Sequence, residues 1–442
     1  MKKIDDVAVS VILPSLNVGT YIDACLKSVV SQSLKKIEIV CVDAGSTDGT
    51  FEILKKYEQG DSRIKVLTSQ KKSYGHQVNL GMQQALGKYV AIVDTDDMIR
   101  QDMYEILYQI AEDNNADFVK ANYEEISKKK GDIRIGRTVR ILEDDKCYHR
   151  LLNMEENPFC FLSHITATWS GIYKREFLEE NHILHNETPG ASYQDTGFWF
   201  QTYMFAKRAY FVNQPFYRYR VDNPGSSVNS KSKVYSICDE FDFILRRIKE
   251  CELTEAFQDI FCYVFYRKYK RNLERIAKEY HIVFLKRFSK DFKGLFQEGL
   301  LHTEKWTSNS REEIKEILDG PESYYEKILH RRTQFLNEVQ QSEQIILYGF
   351  GKVGKLLYDN IERKDKIVSF AVTSLPGGSD KESVSYQGIP VRELKALQDY
   401  CESACLVIAV KTPEYEATME KEAGKYGFRN VARMPFGIFD FE

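Results

Sequence analysis

From residue 7 to about 123, short apolar runs alternate with segments whose apolar positions recur every three or four residues. The apolar runs are continuous rather than alternating with polar residues, which is typical of strands buried on both faces of a parallel sheet. The periodic segments between them are typical of helices that cover such a sheet. The predicted strands are 7–13, 37–42, 64–68, 89–93 and 117–122, and the predicted helices are 21–31, 50–57, 77–86 and 103–114. The pattern therefore predicts an α/β fold for this part of the chain.

Polar side chains follow three of these strands at the point where each strand ends. The first strand is followed by Pro-Ser-Leu-Asn at 14–17, the second by an Asp- and Gly-rich loop at 43–49, and the fourth by Asp-Thr-Asp-Asp at 94–97. Ligands of open α/β sheets bind beyond the carboxyl ends of the strands. The sequence therefore places a candidate binding site among these three loops.

The three loops differ in how well simple turn chemistry explains them. Residues 46–48 are accounted for by capping, because Ser, Thr and Asp side chains satisfy free amide groups at the start of a helix. Capping does not explain Asp94, Asp96 and Asp97. Three carboxylates within four residues repel one another unless a cation or strong hydrogen-bond donors lie near. The alternatives are a solvated turn and a divalent cation, Mg2+ or Mn2+, held by carboxylate oxygens together with a phosphate.

The same loops belong to a series of four motifs. They read Val-Ser-Val-Ile-Leu-Pro-Ser-Leu-Asn at 9–17, Val-Asp-Ala-Gly-Ser-Thr-Asp-Gly-Thr at 42–50, Asn79 and Gly81 ahead of Gly-Lys-Tyr at 87–89, and Asp-Thr-Asp-Asp at 94–97. In this order and spacing the motifs resemble those of family 2 glycosyltransferases, which have the GT-A fold. The resemblance covers residues 7 to about 230 and implies transfer of a sugar from a nucleotide-sugar donor.

The resemblance also implies donor contacts for individual residues. Asp43 would accept a hydrogen bond from the uracil edge of a UDP-sugar, with Ser15 and Asn17 in the same pocket. Asp94 would hold ribose or sugar hydroxyl groups. The donor-binding residues expected on this basis are Pro14, Ser15, Asn17, Asp43, Asn79, Asp94, Thr95 and Asp96.

A divalent cation, Mn2+ or Mg2+, is the cofactor that the resemblance implies. Asp96, together with Asp97, would bind the ion that bridges the two phosphates of the donor. The leaving group is a nucleoside diphosphate, and a divalent cation neutralises the charge that develops on it. His164, His182 and His185 are alternative metal ligands.

The candidate catalytic base lies in a second segment, Gln194–Asp195, which precedes an aromatic-rich stretch. Members of the family carry their base in an acidic pair at this place, so the resemblance implies that Asp195 removes the acceptor hydroxyl proton in an inverting transfer. The alternative role for Asp195 is that of a helix N-cap. Trp169 and Gln194 are the expected acceptor contacts, and a place in the core is the alternative for Trp169.

The middle of the chain is predicted to be helical, from 231 to 340. Within it, the stretch 267–293 carries ten basic and three acidic residues, an excess of seven positive charges. Such a stretch can contact an anionic membrane and reach a lipid-linked acceptor. A solvated helix surface is the alternative.

From residue 341 the pattern returns to strands and helices. Gly-Phe-Gly-Lys-Val-Gly at 349–354 is a GxGxxG motif between a predicted strand and a predicted helix, which is typical of a Rossmann-like domain. NAD binding is not favoured, because the ribose-binding acid expected about 20 residues further on is absent between 366 and 379. A structural, dimerising or regulatory role is preferred. The predicted domains are 1–230, 231–340 and 341–442.

Composition excludes several other classes of protein. The chain has 442 residues and a formal net charge of -3, so global attraction to nucleic acid is not expected. The nine cysteines include no CxxC pair, which favours a reduced cytoplasmic compartment over a zinc site or a disulfide framework. The N-terminus lacks a signal-peptide pattern, and the apolar stretches fall short of the ~20 residues that span a bilayer. We therefore expect a cytoplasmic protein, with peripheral contact to the inner face of the membrane through 267–293 as the open alternative.

The function expected from these observations is that of an inverting, metal-dependent glycosyltransferase. It would pass a sugar from a UDP-sugar to a saccharide or lipid-linked acceptor in the synthesis of bacterial surface polysaccharide. One alternative is a bifunctional or oxidoreductive enzyme that uses the GxGxxG domain, although this leaves the acidic cluster unexplained. The other is a non-catalytic scaffold that binds sugar nucleotides. A homo-oligomer is compatible with each of them.

Overall fold

The computed structural model describes residues 7–129, 131–153, 155–157, 165–251, 255–375, 384–411 and 413–438. The chain divides into two compact units. The first consists of Met1–Tyr269 with Glu298–Lys305, and the second of Lys270–Gln297 with Trp306–Glu442. The helical region expected at 231–340 is thus shared between the two units, and the domain boundaries at 230 and 340 stay predictions.

The first unit is built on a ten-stranded sheet. Its strands are β1 (Val9–Ser15), β2 (Ile37–Asp43), β3 (Ile64–Thr68), β4 (Tyr89–Ile92), β5 (Met98–Ile99), β6 (Phe118–Lys129), β7 (Asp132–Val139), β8 (Leu151–Leu152), β9 (Gly171–Lys174) and β10 (Ala209–Arg220). Its helices are α1 (Ile22–Val30), α2 (Thr50–Gly60), α3 (Tyr74–Gln83), α4 (Met103–Asn114), α5 (Arg175–Glu180), α6 (Gln194–Phe205) and α7 (Ser236–Glu250), and α8 (Glu255–Leu273) follows along the chain.

Parallel pairing dominates one half of this sheet. β3, β2, β1 and β4 lie side by side and run parallel, as their continuous apolar sequences predict. β9 is antiparallel to both β4 and β6, and β10 runs parallel to β6. The predicted α/β fold is confirmed, and the antiparallel insertion of β9 is an addition that the local sequence pattern does not show.

Several element boundaries differ from the prediction by a few residues, and two of them have an identifiable cause. α3 begins at Tyr74, earlier than predicted, because the Ser73 hydroxyl accepts a hydrogen bond from the His76 amide and caps the helix. β6 continues to Lys129, beyond the predicted end, since it forms an antiparallel hairpin with β7. Both differences come from interactions that apolar periodicity does not report.

The second unit contains a six-stranded sheet. Its strands are β11 (Gln344–Tyr348), β12 (Ile367–Val372), β13 (Ser385–Tyr386), β14 (Ile389–Glu393), β15 (Ala404–Ile408) and β16 (Val431–Arg433). Its helices are α9 (His281–Gln297), α10 (Ser308–Asp319), α11 (Pro321–Gln341), α12 (Lys352–Asn360) and α13 (Pro413–Lys425). The strand order is β13-β14-β12-β11-β15-β16, with β13 and β14 antiparallel and the other neighbours parallel.

Alternate residues of β11 enter two separate cores. Ile345 and Leu347 belong to the core that contains Phe335 of α11. Ile346 and Tyr348 belong to the core that contains Ala423 of α13. Because successive side chains of a strand point to opposite faces, both faces of this sheet are covered, which explains the uninterrupted apolar run of β11.

The basic stretch 267–293 is partly neutralised by ion pairs. Lys286 lies 2.8 Å from Glu322, and Arg287 lies 2.7 Å from Asp291. Among the described helices, none combines the length and the apolar character needed to cross a membrane. Membrane contact through this stretch stays a prediction.

Helix α3 packs closely on β1 through Gly81, where an added Cβ atom would lie 2.5 Å from Cγ2 of Ile12. We expect Gly81→Ala to lower the free energy of unfolding by about 1–3 kcal/mol, in spite of the higher helix propensity of alanine. Gly60→Ala in α2 is the matched control, since a Cβ there meets nothing within 4 Å, and it should be neutral or stabilising. Urea denaturation followed by tryptophan fluorescence compares the two variants. Equal stability would contradict the close α3–β1 packing.

Candidate active site

The loops after β1 and β2 are tied to each other by hydrogen bonds. The side-chain oxygen of Asn17 accepts a bond from the N–H of Thr47 (2.9 Å), and the Asn17 N–H donates to the Ser46 hydroxyl (2.9 Å). The buried Asp43 carboxylate accepts bonds from the N–H groups of Gly45 (2.8 Å) and Ser46 (3.0 Å). Asp43 therefore shapes the loop in which it lies, and a uracil contact would be made in addition to these bonds.

The ends of β1, β2 and β4 are joined by buried side chains. The Thr95 hydroxyl donates to the carbonyl oxygen of Pro14 at 2.9 Å. Nε2 of Gln77, in α3, donates to the carbonyl oxygens of Ser15 (2.8 Å) and Val42 (2.7 Å). The predicted donor residues Pro14, Ser15 and Thr95 thus lie together at the carboxyl edge of the sheet.

Asn79 of α3 binds a loop that precedes α6. Its Nδ2 donates to the His185 carbonyl oxygen (2.9 Å), and its Oδ1 accepts a bond from the His185 N–H (2.9 Å). Glu187 in the same loop accepts bonds from Asn79 (3.2 Å), Lys71 (2.7 Å) and His76 (2.8 Å). Asn79 and Glu187 therefore hold this loop on α3, and direct donor binding by Asn79 stays a prediction.

An acidic cluster lies where β4 ends. Oδ1 of Asp94 accepts a hydrogen bond from the hydroxyl of Tyr74 in α3 (2.9 Å). Burial and the charge of Asp96 raise the pKa of Asp94 to about 7, and the charge of Asp195 adds to this rise, whereas the Tyr74 bond opposes it. The structure therefore brings Asp94, Asp96 and the distant Asp195 into one electrostatic environment.

Asp96 and Asp97 differ in their accessibility. Asp97 is 1% exposed, and its carboxylate accepts bonds from the Tyr217 hydroxyl (2.8 Å) and the Arg220 N–H (2.6 Å). Asp96 is partly exposed, and one of its oxygens accepts a bond from Nδ2 of Asn223 at 2.7 Å. Asp96 is thus the more accessible carboxylate, and Asp97 fixes the end of β10.

Asp195 lies in the first turn of α6, where its Oδ2 accepts a hydrogen bond from the Thr166 hydroxyl at 2.8 Å. The N-cap of this helix is Tyr193, so the alternative capping role of Asp195 is not observed. The Gln194 amide donates to the Thr188 hydroxyl (2.9 Å) within its own loop. An acceptor contact by Gln194 stays a prediction.

Trp169 is largely enclosed by other aromatic side chains. Its ring lies 4.1 Å from that of Tyr217 and 5.2 Å from that of Tyr219, measured between centroids, and both pairs are stacked. The residue is 7% exposed. Trp169 therefore has a core role, and the predicted acceptor contact would depend on the small exposed part.

Of the three histidines considered as metal ligands, only His185 has contacts that assign it another role, and a ligand role for His182 stays a prediction. His164 lies outside the described residues. His185 stacks on Phe198 with centroids 4.3 Å apart, and burial lowers its pKa to about 3. In the part of the chain that the structure describes, no group of three or more His, Cys, Asp or Glu side chains is arranged as a metal site.

Sequence reasoning missed four polar residues near this site: Tyr74, Lys120, Thr166 and Glu187. The contacts of Tyr74, Thr166 and Glu187 join segments that are far apart in the chain, so no local signal reports them. Lys120 does leave a signal, because it interrupts an apolar strand. Its ammonium group donates to the Thr166 carbonyl oxygen at 2.6 Å.

Comparisons with known proteins agree with this geometry. Residues 10–181 match the family model described as glycosyl transferase family 2. The glycosyltransferase GlyG of Streptococcus pneumoniae serotype 4 is 28% identical over 249 residues, which are 55% of this chain and 81% of GlyG. The putative glycosyltransferase EpsH of Bacillus subtilis is 29% identical over 217 residues, which are 48% of this chain and 61% of EpsH, less than two thirds of its length.

A solved structure shows the same fold. The crystal structure of S. aureus TarS 1–349 in complex with UDP-GlcNAc superimposes with a TM-score of 0.58 at 19% identity, covering 72% of this chain and 92% of that chain. The sheet topology and this likeness define the GT-A fold. The family 2 match at residues 10–181 and the named glycosyltransferase relatives support a glycosyltransferase activity.

Glu187 supplies a test of the loop that precedes α6. Although burial opposes the shift, hydrogen bonds from Lys71, His76 and Asn79 lower the pKa of Glu187 to about 2. A depressed carboxyl pKa stabilises the fold above the unfolded pKa of about 4.5, and this contribution is lost as the pH falls toward 2. We expect Glu187→Gln to lower the free energy of unfolding by about 1 kcal/mol at pH 7 and by clearly less at pH 3.

Urea denaturation at the two pH values measures this difference. Glu176→Gln is the matched control, because the side chain of Glu176 is 64% exposed in its ion pair with Lys174, and it should change little at either pH. An equal loss of stability for Glu187→Gln at pH 7 and pH 3 would contradict the assigned ion pairs.

Proposed function

We propose that this glycosyltransferase moves a sugar from a UDP-linked donor to a saccharide or lipid-linked acceptor, with inversion at the anomeric carbon, in the synthesis of a bacterial surface polysaccharide. The observation that carries the proposal is that the charges of Asp96 and Asp195 both act on Asp94, at the sheet edge that also carries the Asp43 loop. The fold shared with the TarS fragment in complex with UDP-GlcNAc supports a uridine nucleotide.

The residues at this edge fit a divalent cation. Burial and the charge of Asp96 raise the pKa of Asp94 to about 7, and a hard cation would neutralise such a pair of carboxylates. Asn223 engages one of the two carboxylate oxygens of Asp96. The other oxygen would hold Mn2+ or Mg2+. Direct ligation by Asp97 would require it to give up its bonds to Tyr217 and Arg220. When bound, the cation would stabilise the charge on the departing nucleoside diphosphate.

Asp195 is the proposed catalytic base. Thr166 engages its Oδ2, so Oδ1 would receive the proton of the acceptor hydroxyl. As the acceptor oxygen bonds to the anomeric carbon, this proton passes to Asp195 and the bond from that carbon to the diphosphate breaks. An ionised Asp195 at the start of the reaction is therefore required.

For the second unit we propose a Rossmann-like module with a structural or regulatory role. Its parallel strands lie in the order third, second, first, fourth, fifth, which is the order of dinucleotide-binding folds. The GxGxxG turn is tight, because a Cβ at Gly354 would lie 1.9 Å from the carbonyl oxygen of Gly349. However, β12 is followed by Thr373, whose hydroxyl bonds to that of Tyr348 (2.8 Å), where NAD-binding domains carry an acid.

Two substitutions test the transferase site. We expect Asp195→Asn and Asp96→Ala each to reduce metal-dependent UDP release from a panel of UDP-sugars by at least about 100-fold, since one removes the base and the other the metal ligand. Asp195→Asn should retain UDP affinity, whereas Asp96→Ala should lose the part of the affinity that depends on Mn2+. A coupled assay of UDP release and titration calorimetry measure the two effects.

Asp113→Asn is the control for loss of one negative charge, because Asp113 is exposed on α4. It should keep wild-type turnover. Wild-type turnover in Asp195→Asn would contradict the assignment of the base. Binding of UDP-sugars by the wild-type protein without turnover on any acceptor would favour the non-catalytic scaffold instead.

NADH tests the proposed role of the second unit. Because Thr373 stands where a ribose-binding acid is needed, we expect no saturable change in NADH fluorescence when the full-length protein is titrated at micromolar concentrations. NADPH and UDP serve as comparison ligands in the same titration. Micromolar NADH affinity would support the oxidoreductive alternative.

A further inference from the structure

Lys120 is a lysine whose side chain is completely buried in the first unit. It lies in β6 between core residues and is 0% exposed. A buried ammonium group is unfavourable unless other groups compensate its charge and satisfy its donors. Packing alone therefore does not explain the presence of a lysine inside this apolar strand.

The strand next to β6 accommodates this lysine. Gly171 of β9 lies directly opposite Lys120 in the antiparallel pairing. A Cβ at position 171 would lie 3.0 Å from Cγ of Lys120 and 2.2 Å from the carbonyl oxygen of Val119. The aliphatic part of the Lys120 side chain thus occupies space that a residue larger than glycine at position 171 would fill.

Hydrogen bonds connect Lys120 to the proposed base. The ammonium group of Lys120 donates to the carbonyl oxygen of Thr166 (2.6 Å), and the hydroxyl of the same Thr166 donates to Oδ2 of Asp195 (2.8 Å). Nζ also lies 5.5 Å from the centre of the Tyr203 ring. Lys120 therefore fixes the residue that engages one oxygen of the Asp195 carboxylate.

The charges around Asp195 make this connection electrostatic as well. Asp94, Tyr74 of α3 and Glu240 of α7 are the acidic groups whose pKa values Asp195 raises. Burial lowers the pKa of Lys120 to about 7, and Asp195 opposes that fall. The ammonium group of Lys120 and the Asp195 carboxylate therefore attract each other.

A second lysine faces the same helix end. Lys268 of α8 donates to the hydroxyl of Thr196 at 3.3 Å, one residue after the proposed base. Its contact is with Thr196, whereas Lys120 reaches Asp195 itself through Thr166. The effects of the two lysines can therefore be distinguished by substituting one of them at a time.

We propose that Lys120 is a positioning residue for the base: through Thr166 it directs Oδ1 of Asp195 toward the acceptor, and its buried ammonium group attracts the carboxylate. This inference rests on the proposed function, in which Asp195 is the base. It assigns to Lys120 a part in the transfer step and none in donor binding.

Lys120→Met tests the proposal, because methionine keeps the length of the stem and removes the charge. We expect the UDP affinity of the full-length variant to stay within about twofold and kcat for UDP release to fall at least about tenfold. Thr166→Val should lower kcat similarly, since it removes the hydroxyl that engages Asp195 and retains the lysine. Lys88→Met, which removes a surface ion pair with Glu112, should match the wild type.

Three outcomes decide between positioning and packing. Unchanged kcat in Lys120→Met would overturn the proposal. So would a parallel loss of UDP affinity and kcat, which indicates a purely structural role. If Lys120→Met fails to fold, as judged by circular dichroism, Thr166→Val decides by the same criteria of kcat and UDP affinity. Failure of the proposed function itself shows separately, as wild-type turnover in Asp195→Asn.

Discussion

Negative charge gathered at one edge of a buried sheet is the constraint on which the active site depends. The carboxylates at 94–97 follow a buried strand, and burial raises the pKa values of Asp94 and Asp97. The fold compensates in part with donors from distant elements, namely the hydroxyls of Tyr74 and Tyr217 and the N–H of Arg220. The charge that remains suits a substrate that binds together with a cation.

Helix α3 links this acidic cluster to the loops around it. Tyr74 reaches Asp94, Gln77 binds the ends of β1 and β2, and Asn79 binds the loop that precedes α6. Gly81 lets the helix approach β1 closely enough for these contacts. The polar residues of α3 therefore hold the ends of β1 and β2, Asp94 and the loop that precedes α6 relative to one another.

The sequence predicts the elements of the first unit well, because their apolar periodicity is strong; α4 forms at Met103–Asn114 as expected. It also predicts which loops lie together at one edge of the sheet, since the Thr95 hydroxyl bonds to the Pro14 carbonyl oxygen. It does not predict the antiparallel β9 or the contacts of Tyr74 and Thr166, since these depend on the pairing of segments that are far apart. For Asn79, the family resemblance implies a donor contact, whereas the structure shows its amide bound to the His185 backbone.

The most direct test of the proposed donor site is a crystal structure of the full-length protein with UDP and Mn2+. Electron density for Mn2+ is expected beside the Asp96 carboxylate, with the uracil ring beside Asp43 and the bond from Thr166 to Asp195 intact. Density for UDP at the GxGxxG loop of the second sheet, or at the first sheet without contact to Asp43 and Asp96, would contradict the assignment of this edge as the catalytic site.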